Sequence, residues 1–566
     1  MAETHGSPAG TPAGPDQLGI VGVLRLHPYR LFLLVQFMTA IIVWVLATTV
    51  QWTFVASGQS GVVIALVPAL FGLPFVLFAL PVGVAVVRWA RPGVMAVALA
   101  SIATVSAALA VWALGGAESV VQAAVLVFLS GSGLVVALLA WQSMLPGLVG
   151  RPGIVSATVL DAAAFNGARA IGPLAAGLLL AVVVPASLLW GATALSLACA
   201  ATLVMLRRGE PPRPPVSGSV RIELVSALRF ARYSRWTRTL LLRMIAFGIP
   251  ASGLWALLPI YSRDVLGVDS QEFGILFAAT GAGAVLGTLM TGPMRARMSD
   301  RAFAGLGITL FGLAMGTLPF LALRPAIVVV LIVAGSCWVT VQTLWMSMAQ
   351  RALPEWVRAS MIGLMLSFFQ LSQVIGSLFW GAVADWTDVE TGLVAAGVVM
   401  IANAVHVFVR GVPPTRGLDP DLAGLAAQDP PEGLARDRPV HVEITHYGLV
   451  PADPATRSVL RDVRLSRLRY GARTWELQES PADPASGGSP SRGGSVGPAE
   501  PVRHVERMRF SSWDAYASFE AHRLTVPEAR VRHRLRELSV WDPEVRVVLA
   551  DPGAGISARA RGRRRA

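Results

Sequence analysis

Long apolar runs recur along the first 410 residues of the chain, and short polar links separate them. A bilayer core about 30 Å thick needs roughly 20 apolar residues for each crossing helix, and twelve runs reach that length. The predicted spans are 31–53, 61–87, 92–115, 119–144, 156–182, 185–206, 239–262, 272–293, 302–321, 325–349, 360–384 and 390–409. The pattern therefore predicts an all-α membrane protein with twelve transmembrane helices.

The second six spans repeat features of the first six. "HPYRLFLL" before the first span matches "YSRWTRTLLL" before the seventh, "LPGLV" after the fourth matches "LPEWV" after the tenth, and "IGP" in the fifth matches "IGS" in the eleventh. The offset stays close to 205 residues, which indicates a duplicated six-helix unit. Two pseudo-symmetric six-helix bundles are typical of secondary transporters, whose substrate site lies between the halves near the membrane midplane.

Arginine is divided unevenly between the two sets of links. One set, which includes the loop after the sixth span, is rich in arginine, whereas the opposite links hold only Arg263 and Arg324. Because positive residues favour the cytoplasmic side of a membrane, we expect both termini to be cytoplasmic. The expected location is the inner membrane of a bacterium.

The overall composition agrees with this interpretation. The chain is 54% hydrophobic and 14% charged, with a mean hydropathy of +0.59, which excludes an ordinary soluble protein. The net charge of +13 is explained by membrane topology, and without a base-reading motif we expect no nucleic-acid partner. Cys199 and Cys337 lie in separate spans without metal-ligand spacing, so the sequence predicts no metal site and no cofactor.

The fifth span carries three polar side chains, those of Asp161, Asn166 and Arg169. An ionised group at the centre of a membrane helix costs about 2.5–3.5 kcal/mol, so each should face protein or water. We hypothesise that Asp161 carries a coupling proton, that Arg169 orients an anionic or carbonyl-bearing substrate, and that Asn166 bonds a neighbouring helix. The alternative is structural: Arg169 binds carbonyl groups of adjacent helices, and Asp161 is a partly hydrated side chain near the cytoplasmic mouth.

Amide and indole side chains inside or at the ends of apolar runs are further candidates to line a cavity. They are Gln36, Gln142, Gln342, Gln370, Gln373 and Trp255. Glutamines in membrane helices often bond only to neighbouring helices, so we expect one or two of the five to line it. Trp44 and Trp338 also lie within spans, where aromatic rings suit either packing or large amphipathic substrates.

The composition changes after residue 410. "VHVEITHY", "RTWELQE", "RHVERMRF" and "EVRVVLAD" alternate as strands do, and helical sequence precedes the second and the fourth. This β-α-β-β-α-β order predicts a ferredoxin-like α+β domain. The predicted segments are a disordered tail (1–25), an N-terminal bundle (26–206), a cytoplasmic central loop (207–238), a C-terminal bundle (239–410), a linker (411–436), the α+β domain (437–552, with a disordered insertion at 480–501) and a basic tail (553–566).

Segments 143–177, 257–290 and 351–385 resemble the major facilitator superfamily, and within it the transmembrane secretion effector group that includes enterobactin-type exporters. The resemblance implies two bundles that rock around a central cavity. The fifth span also retains residues of the superfamily's antiporter signature, which implies export. These residues are Gly167, Gly172, Pro173 and Gly177.

The chain departs from the superfamily in two places. The loop after the second span keeps Gly83, Arg88 and Arg91 of the cytoplasmic gating motif, but Val87 stands where an aspartate is expected. In the first span, Val43 stands where relatives often have an acidic residue. The C-terminal domain resembles the dimeric α+β barrels of antibiotic-biosynthesis monooxygenases, which implies dimerisation through this domain.

Together these features predict a secondary active efflux transporter, a proton-coupled antiporter of a hydrophobic or amphipathic small molecule such as a siderophore, drug or secondary metabolite. Its expected partners are that substrate, protons or another coupling cation, and the lipid bilayer. Two alternatives stay open. One is a bifunctional protein whose C-terminal domain is a cofactor-free monooxygenase-like enzyme; the other is a degenerate transporter that acts as a sensor, which Val43 and Val87 favour.

Overall fold

The computed structural model describes residues 18–86, 90–206, 220–413, 436–480, 502–540, 543–549 and 557–559. These residues form two compact units. The first comprises the described residues within Met1–Gly218, Arg243–Trp345 and Met365–Val412, and the second comprises those within Ser219–Leu242, Met346–Leu364 and Pro413–Ala566. Several predicted features lie outside the described residues: the tail at 1–17, Val87 and Arg88, 207–219, 414–435, 481–501 and 560–566.

Twelve helical spans in the described part of the chain are long and apolar enough to cross a membrane, which confirms the predicted number. The first six spans lie in α2 (His27–Ala56), α3 (Gly61–Val86), α4 (Arg91–Leu114), α5 (Val120–Leu180) and α6 (Pro185–Leu206). The second six lie in α8 (Arg235–Ile260), α9 (Ser270–Arg297), α10 (Asp300–Thr317), α11 (Arg324–Ala352), α12 (Glu355–Trp386) and α13 (Val389–Arg410).

Helix α5 contains two spans because it breaks at Gly150. This residue has φ 65° and ψ 176°, a conformation that glycine adopts without steric cost. Pro152 lies two residues later, and proline suits the first turn of a helix because its missing N–H would have no partner there. The spans on either side are Val120–Gly150 and Pro152–Leu180.

Three short elements lie inside predicted segments, and the first of them differs from the disorder predicted for residues 1–25. Residues Ile20–Leu24 form α1 inside the predicted disordered tail, where Val23 is fully buried and the Leu18 N–H donates to Pro152 O. Val220–Tyr233 form α7 inside the predicted loop, and Ser557–Arg559 form β5 inside the predicted basic tail. In each case tertiary contacts stabilise a segment whose local sequence is too short or too rich in arginine to indicate structure.

The helices of the first unit approach closely at glycine. A Cβ on Gly283 of α9 would overlap the backbone of Ile332 on α11, and one on Gly335 of α11 would overlap Thr280 on α9. Because lipid provides no hydrophobic drive for helix association, close packing at small residues supplies much of it. Glycine therefore sets the distance between α9 and α11.

The second unit contains an antiparallel sheet. Its strands are β1 (Val440–Tyr447), β2 (Thr474–Ser480), β3 (Arg503–Phe510), β4 (Glu544–Leu549) and β5, in the order β2-β3-β1-β4-β5. Its helices are α14 (Pro454–Tyr470), α15 (Trp513–Ser518) and α16 (Val526–Glu537). Alternate residues of β1 and β3 are buried, as period-two patterning requires of a sheet with one covered face.

Gly283→Ala is expected to lower the thermal stability of the purified protein, because α9 and α11 must separate to admit the methyl group. Overpacking of this kind costs about 1–3 kcal/mol. Gly292→Ala, on the same helix with no atom within 4 Å of the added Cβ, is the control and should leave the melting temperature unchanged or raise it. Equal melting temperatures for the two variants would contradict the proposed packing.

Candidate functional site

Arg169 lies inside a cage of three tryptophans. Its Cζ atom is 4.2 Å from the ring centroid of Trp255, 5.4 Å from that of Trp338 and 5.5 Å from that of Trp44. All three distances are within the range of cation–π attraction. Arg169 on α5 and Trp44 on α2 belong to the first six spans, whereas Trp255 on α8 and Trp338 on α11 belong to the second six. We call these four residues the tryptophan cage.

The guanidinium of Arg169 is buried without a counter-ion. Only 9% of the residue is exposed, its Nε atom has no hydrogen-bond partner, and among the described residues no carboxylate lies within ion-pair distance. A buried charge costs about 2.5–3.5 kcal/mol in a membrane span, and each desolvated cation–π contact returns up to about 2 kcal/mol. The rings therefore make the charge tolerable while leaving it able to bind an anionic or carbonyl oxygen.

The wall around the cage is aromatic. Trp255 and Trp338 meet edge to face with centroids 5.5 Å apart, and Phe277 lies 5.7 Å from Trp255 and 6.4 Å from Trp44. Aromatic faces pack well against flat apolar groups. The arrangement suits a molecule that combines a planar hydrophobic body with one polar or anionic group.

Asp161 and Asn166, the other two polar side chains predicted in the fifth span, lie outside the cage. The half-buried Asp161 accepts a 2.6 Å hydrogen bond from Nε1 of the fully buried Trp141, and both belong to the first six spans. Asn166 donates its side-chain N–H to Ala162 O, one turn earlier on its own helix. Of these three side chains, Arg169 is the one for which the described residues show contacts with the second six spans.

The predicted glutamines differ in their surroundings. Gln36 is 2% exposed and neither amide atom has a hydrogen-bond partner. Gln373 has an unpartnered Oε1, Gln342 and Gln370 are half-buried, and Gln142 is exposed. Sequence reasoning missed Gln51, which donates from Nε2 to Trp255 O across the two sets of spans at 3.2 Å. Its position in an apolar run could have indicated it.

The glycines of the antiporter-like motif in α5 form close contacts. A Cβ on Gly172 would overlap Trp44, and one on Gly177 would overlap the backbone of Ser270 and Gly274 on α9. Gly167 lies beside Phe37, and Pro173 O lies 3.0 Å from the position of a Cβ on Gly274. The motif thus helps α5 to approach both α2 and α9.

The predicted gating loop is described only in part. Gly83 lies within α3, and Arg88 is outside the described residues. Arg91, at the start of α4, donates from Nη1 to Ser143 O at 2.7 Å. Both residues of this hydrogen bond belong to the first six spans.

The two sets of spans meet at the end that contains the α2–α3 link, residues 57–60, which we call the distal end. Here the carboxylate of Asp385 on α12 accepts the backbone N–H groups of Gly61 and Val62 on α3. Arg263, just after α8, donates from Nη1 to Val55 O on α2. Sequence reasoning missed both contacts, because a charged residue at the end of a span gives no sign of its partner.

The C-terminal sheet buries a carboxylate on its covered face. Glu506 is 1% exposed and accepts from Arg467 Nε at 3.0 Å and from Trp475 Nε1 at 2.8 Å, while His446 Nε2 lies at 3.2 Å. Burial alone would raise the pKa of Glu506, but the charge of Arg467 and these hydrogen bonds lower it to about 2. The ion pair stabilises the fold fully above about pH 4.3, the usual pKa of glutamate, and loses this effect as the pH falls towards 2.

Within the second unit, the C-terminal domain packs on α7 and on the start of α12. The rings of Phe230 on α7, Trp356 on α12 and Tyr470 on α14 meet with centroids 5.6–6.1 Å apart. Arg229 donates to Gly471 O at 2.9 Å, and Arg469 donates to Tyr233 O at 3.1 Å. The domain therefore has direct contacts through which it can influence α12.

Comparison with known proteins identifies the family. A family described as transmembrane secretion effector matches residues 21–548. This chain belongs to that family. It is a transporter and a multi-pass bacterial membrane protein, not an enzyme, and the matched residues include most of the C-terminal domain.

Similar proteins agree with the family. The multidrug efflux pump Tap of Mycolicibacterium fortuitum is 28% identical over 357 residues, covering 61% of this chain and 86% of that protein. Its counterpart in Mycobacterium tuberculosis strain H37Rv is 28% identical over 380 residues, with 64% and 88% covered.

Solved structures share the fold of the membrane region. A POT family transporter in complex with 5-aminolevulinic acid matches with a TM-score of 0.56 at 12% identity, over 71% of this chain and 99% of that one. A bacterial homologue of the human lysosomal transporter Spinster, inward-facing and unoccupied, matches with a TM-score of 0.55 at 16% identity, over 68% and 96%. The membrane region therefore has the major facilitator fold.

Glu506→Gln is expected to destabilise the C-terminal domain, because it leaves the buried charge of Arg467 with a weaker partner. Breaking a buried ion pair costs about 3–5 kcal/mol, so limited proteolysis of the full-length protein should cut this domain at a lower temperature. Glu443→Gln breaks a more exposed pair, in which Arg507 Nε lies 2.8 Å from Glu443 Oε1, and should cost at most about 1 kcal/mol. Similar proteolysis of the two variants would contradict the structural role of Glu506.

Proposed function

We propose that this chain exports an amphipathic small molecule, recognised by the tryptophan cage, by alternating access coupled to protons. Two findings support the outward direction: the curated relatives are named multidrug efflux pumps, and α5 carries the glycines of an antiporter-like motif. The single observation that carries the proposal is the buried, unpaired Arg169, which is surrounded by rings from both halves of the fold.

The substrate is a planar amphipath with an anionic or carbonyl group. A cation would meet the uncompensated charge of Arg169 at close range, and at a few ångströms in a medium of low dielectric this repulsion is worth several kcal/mol. An anion or carbonyl oxygen gains a charge-assisted hydrogen bond instead. The tryptophan rings contribute apolar contact area to the same molecule.

Both termini are cytoplasmic in this proposal, so the distal end faces the outside. The excess of arginine on the links at the opposite end supports this orientation. The contacts of Asp385 and Arg263 at the distal end then correspond to a closed outer gate. Alternating access would require these contacts to break when the tryptophan cage opens to the outside.

Asp161 is the first candidate for the coupling proton. Its half-buried carboxylate lies in a membrane span and accepts a hydrogen bond from Trp141 Nε1. Both the ionised and the protonated form of the Asp161 carboxyl have an oxygen that can accept this bond. The structural alternative is that Asp161 serves only as the hydrogen-bond acceptor of a buried indole. The two roles differ in what happens when asparagine replaces the carboxylate.

The C-terminal domain is a ferredoxin-like regulatory or dimerisation domain in this proposal. Its β-α-β-β-α-β order and the sheet order β2-β3-β1-β4 support that fold. Its contacts with α7 and α12 support a regulatory role. The ionised state of Glu506 at neutral pH argues against a general base at that position, since a carboxylate with a pKa of about 2 accepts protons poorly.

Arg169→Gln is expected to lower transport of a planar anionic dye by about tenfold or more, because one charge-assisted hydrogen bond is worth about 1.5–3 kcal/mol. Uptake of fluorescein, Nile red and ethidium into inside-out vesicles measures anionic, neutral and cationic probes. Arg243→Gln is the control: Arg243 is also buried in a span, but its Nη2 donates to Gly411 O. Unchanged uptake of all transported dyes by Arg169→Gln would remove the tryptophan cage as the substrate site.

Asp161→Asn is expected to keep substrate exchange but to lose its dependence on an imposed pH gradient. Asparagine retains an oxygen that can accept from Trp141, so the fold should persist while the proton carrier is removed. Counterflow without a gradient and gradient-driven uptake in reconstituted vesicles separate the two effects, and Asp269→Asn, at the cap of α9, is the control. Gradient-driven uptake at the unaltered rate would assign Asp161 the structural role.

A further inference from the structure

Two guanidinium groups lie side by side at the C-terminal end of α14, in the second unit. Arg229 of α7 donates from Nη1 to Gly471 O at 2.9 Å, and Arg523 donates from Nη1 to Tyr470 O at 3.4 Å. The two carbonyl groups belong to consecutive residues, whose Cα atoms are about 3.8 Å apart, so the two arginines are neighbours. The last carbonyl groups of a helix lack helical partners and attract cations, which explains why these side chains bind here.

A third arginine adds its charge to this pair. Arg473 lies two residues after Gly471, its backbone N–H donates to Arg509 O at 2.7 Å, and its side chain is exposed. Burial lowers the pKa of Arg229, and the charge of Arg473 lowers it further. Burial and the charge of Arg229 lower the pKa of Arg523 in the same way. We call Arg229, Arg473 and Arg523 the arginine cluster.

The positive charge of the arginine cluster is not neutralised within the part of the chain that the structure describes. No carboxylate there lies within ion-pair distance of its three members. Glu528 and Glu520, in the same domain, pair with Arg469 at 2.8 Å and with Arg532 at 2.7 Å instead. A helix C-terminus supplies only about half a negative charge, so a surplus of about two positive charges remains.

Aromatic rings hold one side of the cluster in place. The Arg523 Cζ atom is 4.9 Å from the ring centroid of Trp356, and that ring meets Phe230 at 6.0 Å and Tyr470 at 5.6 Å. The indole Nε1 of Trp356 is buried without a hydrogen-bond partner among the described residues. The cluster therefore has a packed aromatic side at Arg523 and an open side at the exposed Arg473.

We propose that the arginine cluster is a binding site for a phosphate-bearing anion, which joins α7 to the C-terminal domain. A phosphate monoester carries about two negative charges near neutral pH and three terminal oxygens, which match the surplus charge. The planar guanidinium group binds phosphate oxygens in pairs. A single carboxylate would leave part of the charge uncompensated. The site does not depend on which solute the protein exports.

The position of the cluster favours a lipid headgroup as the source of the phosphate. α7 ends one residue before α8, which is long and apolar enough to span a membrane, and Trp356 lies at the start of α12, another such span. α7 exposes Val225 and Leu228, which are three residues apart and therefore on one face of the helix. Exposed apolar residues beside arginine are typical of a helix at a membrane surface. A soluble phosphate compound would meet the same three arginines.

Two probes of the full-length protein distinguish these sources. Inorganic phosphate is titrated into the protein in a non-ionic detergent by isothermal titration calorimetry, at an ionic strength kept constant with chloride. The protein is also placed in phosphatidylcholine nanodiscs with and without phosphatidic acid. Amide hydrogen exchange is measured with both probes, and binding should slow exchange at residues 226–233 and 468–475, because the anion connects α7 to the turn between α14 and β2.

Arg473→Gln is expected to weaken the affinity for inorganic phosphate about threefold to tenfold, because it removes one of the three charges at the exposed, partly screened side of the site. The same variant should reduce the protection produced by phosphatidic acid. Arg530→Gln is the matched control, since Arg530 is an exposed arginine of α16 in the same domain, and it should leave the affinity and the protection unchanged. The additional change Arg229→Gln should weaken binding beyond the effect of Arg473→Gln alone.

A response to inorganic phosphate alone identifies a soluble ligand, and a response to phosphatidic acid alone identifies a lipid headgroup. A response to both shows that the phosphate group itself is recognised, and each of these three results supports the site. The proposal is overturned if neither probe binds, if binding protects other segments and not these two, or if Arg473→Gln and Arg530→Gln bind equally well.

Discussion

Close approach of helix backbones from the two six-helix sets is the contact on which the rest of the membrane region depends. Where Gly61 meets Gly381 and Gly177 meets Gly274, a Cβ would overlap the opposite helix. Lipid is as apolar as the side chains that face it, so helices associate through such packing and not through the hydrophobic effect. The same approach brings tryptophans of the second set around Arg169 and brings a carboxylate of α12 to the start of α3.

Two buried guanidinium groups of the described residues, those of Arg467 and Arg169, are stabilised in opposite ways. Arg467 in the C-terminal domain has carboxylate partners, with Glu506 at 3.0 Å and Glu520 at 3.5 Å, so its charge is neutralised within the domain. Among the described residues, Arg169 in the membrane region has aromatic faces as partners and no carboxylate, and these faces lower the cost of its charge without neutralising it. The ion pairs of Arg467 stabilise the C-terminal domain. The charge of Arg169 is not neutralised, so in the proposed function it attracts the anionic or carbonyl group of a ligand.

Much of the fold could be predicted from local sequence features. The number of spans depends on the lengths of apolar runs, and the strands of the C-terminal domain depend on alternation, so β1 and β3 occupy residues that the pattern marks as strands. Arg169 could be identified from the sequence because an ionised side chain in a membrane span has a high free-energy cost whatever its neighbours are. Its cage was not, since Trp44, Trp255 and Trp338 come from three helices whose relative rotation no single segment reveals. The partner of Asp161, Trp141, was hidden for the same reason.

The sequence by itself determined where the long helices and the main strands form, which segments cross the membrane and which charges needed a special environment, because each of these depends on residues close together in the chain. Tertiary structure alone decided what those charges contact. Asp385 and Gly61 are 324 residues apart, and their contact requires a particular register between α12 and α3 that only the packing of all the helices sets. The same holds for the tryptophan cage, whose geometry arises where the two halves meet.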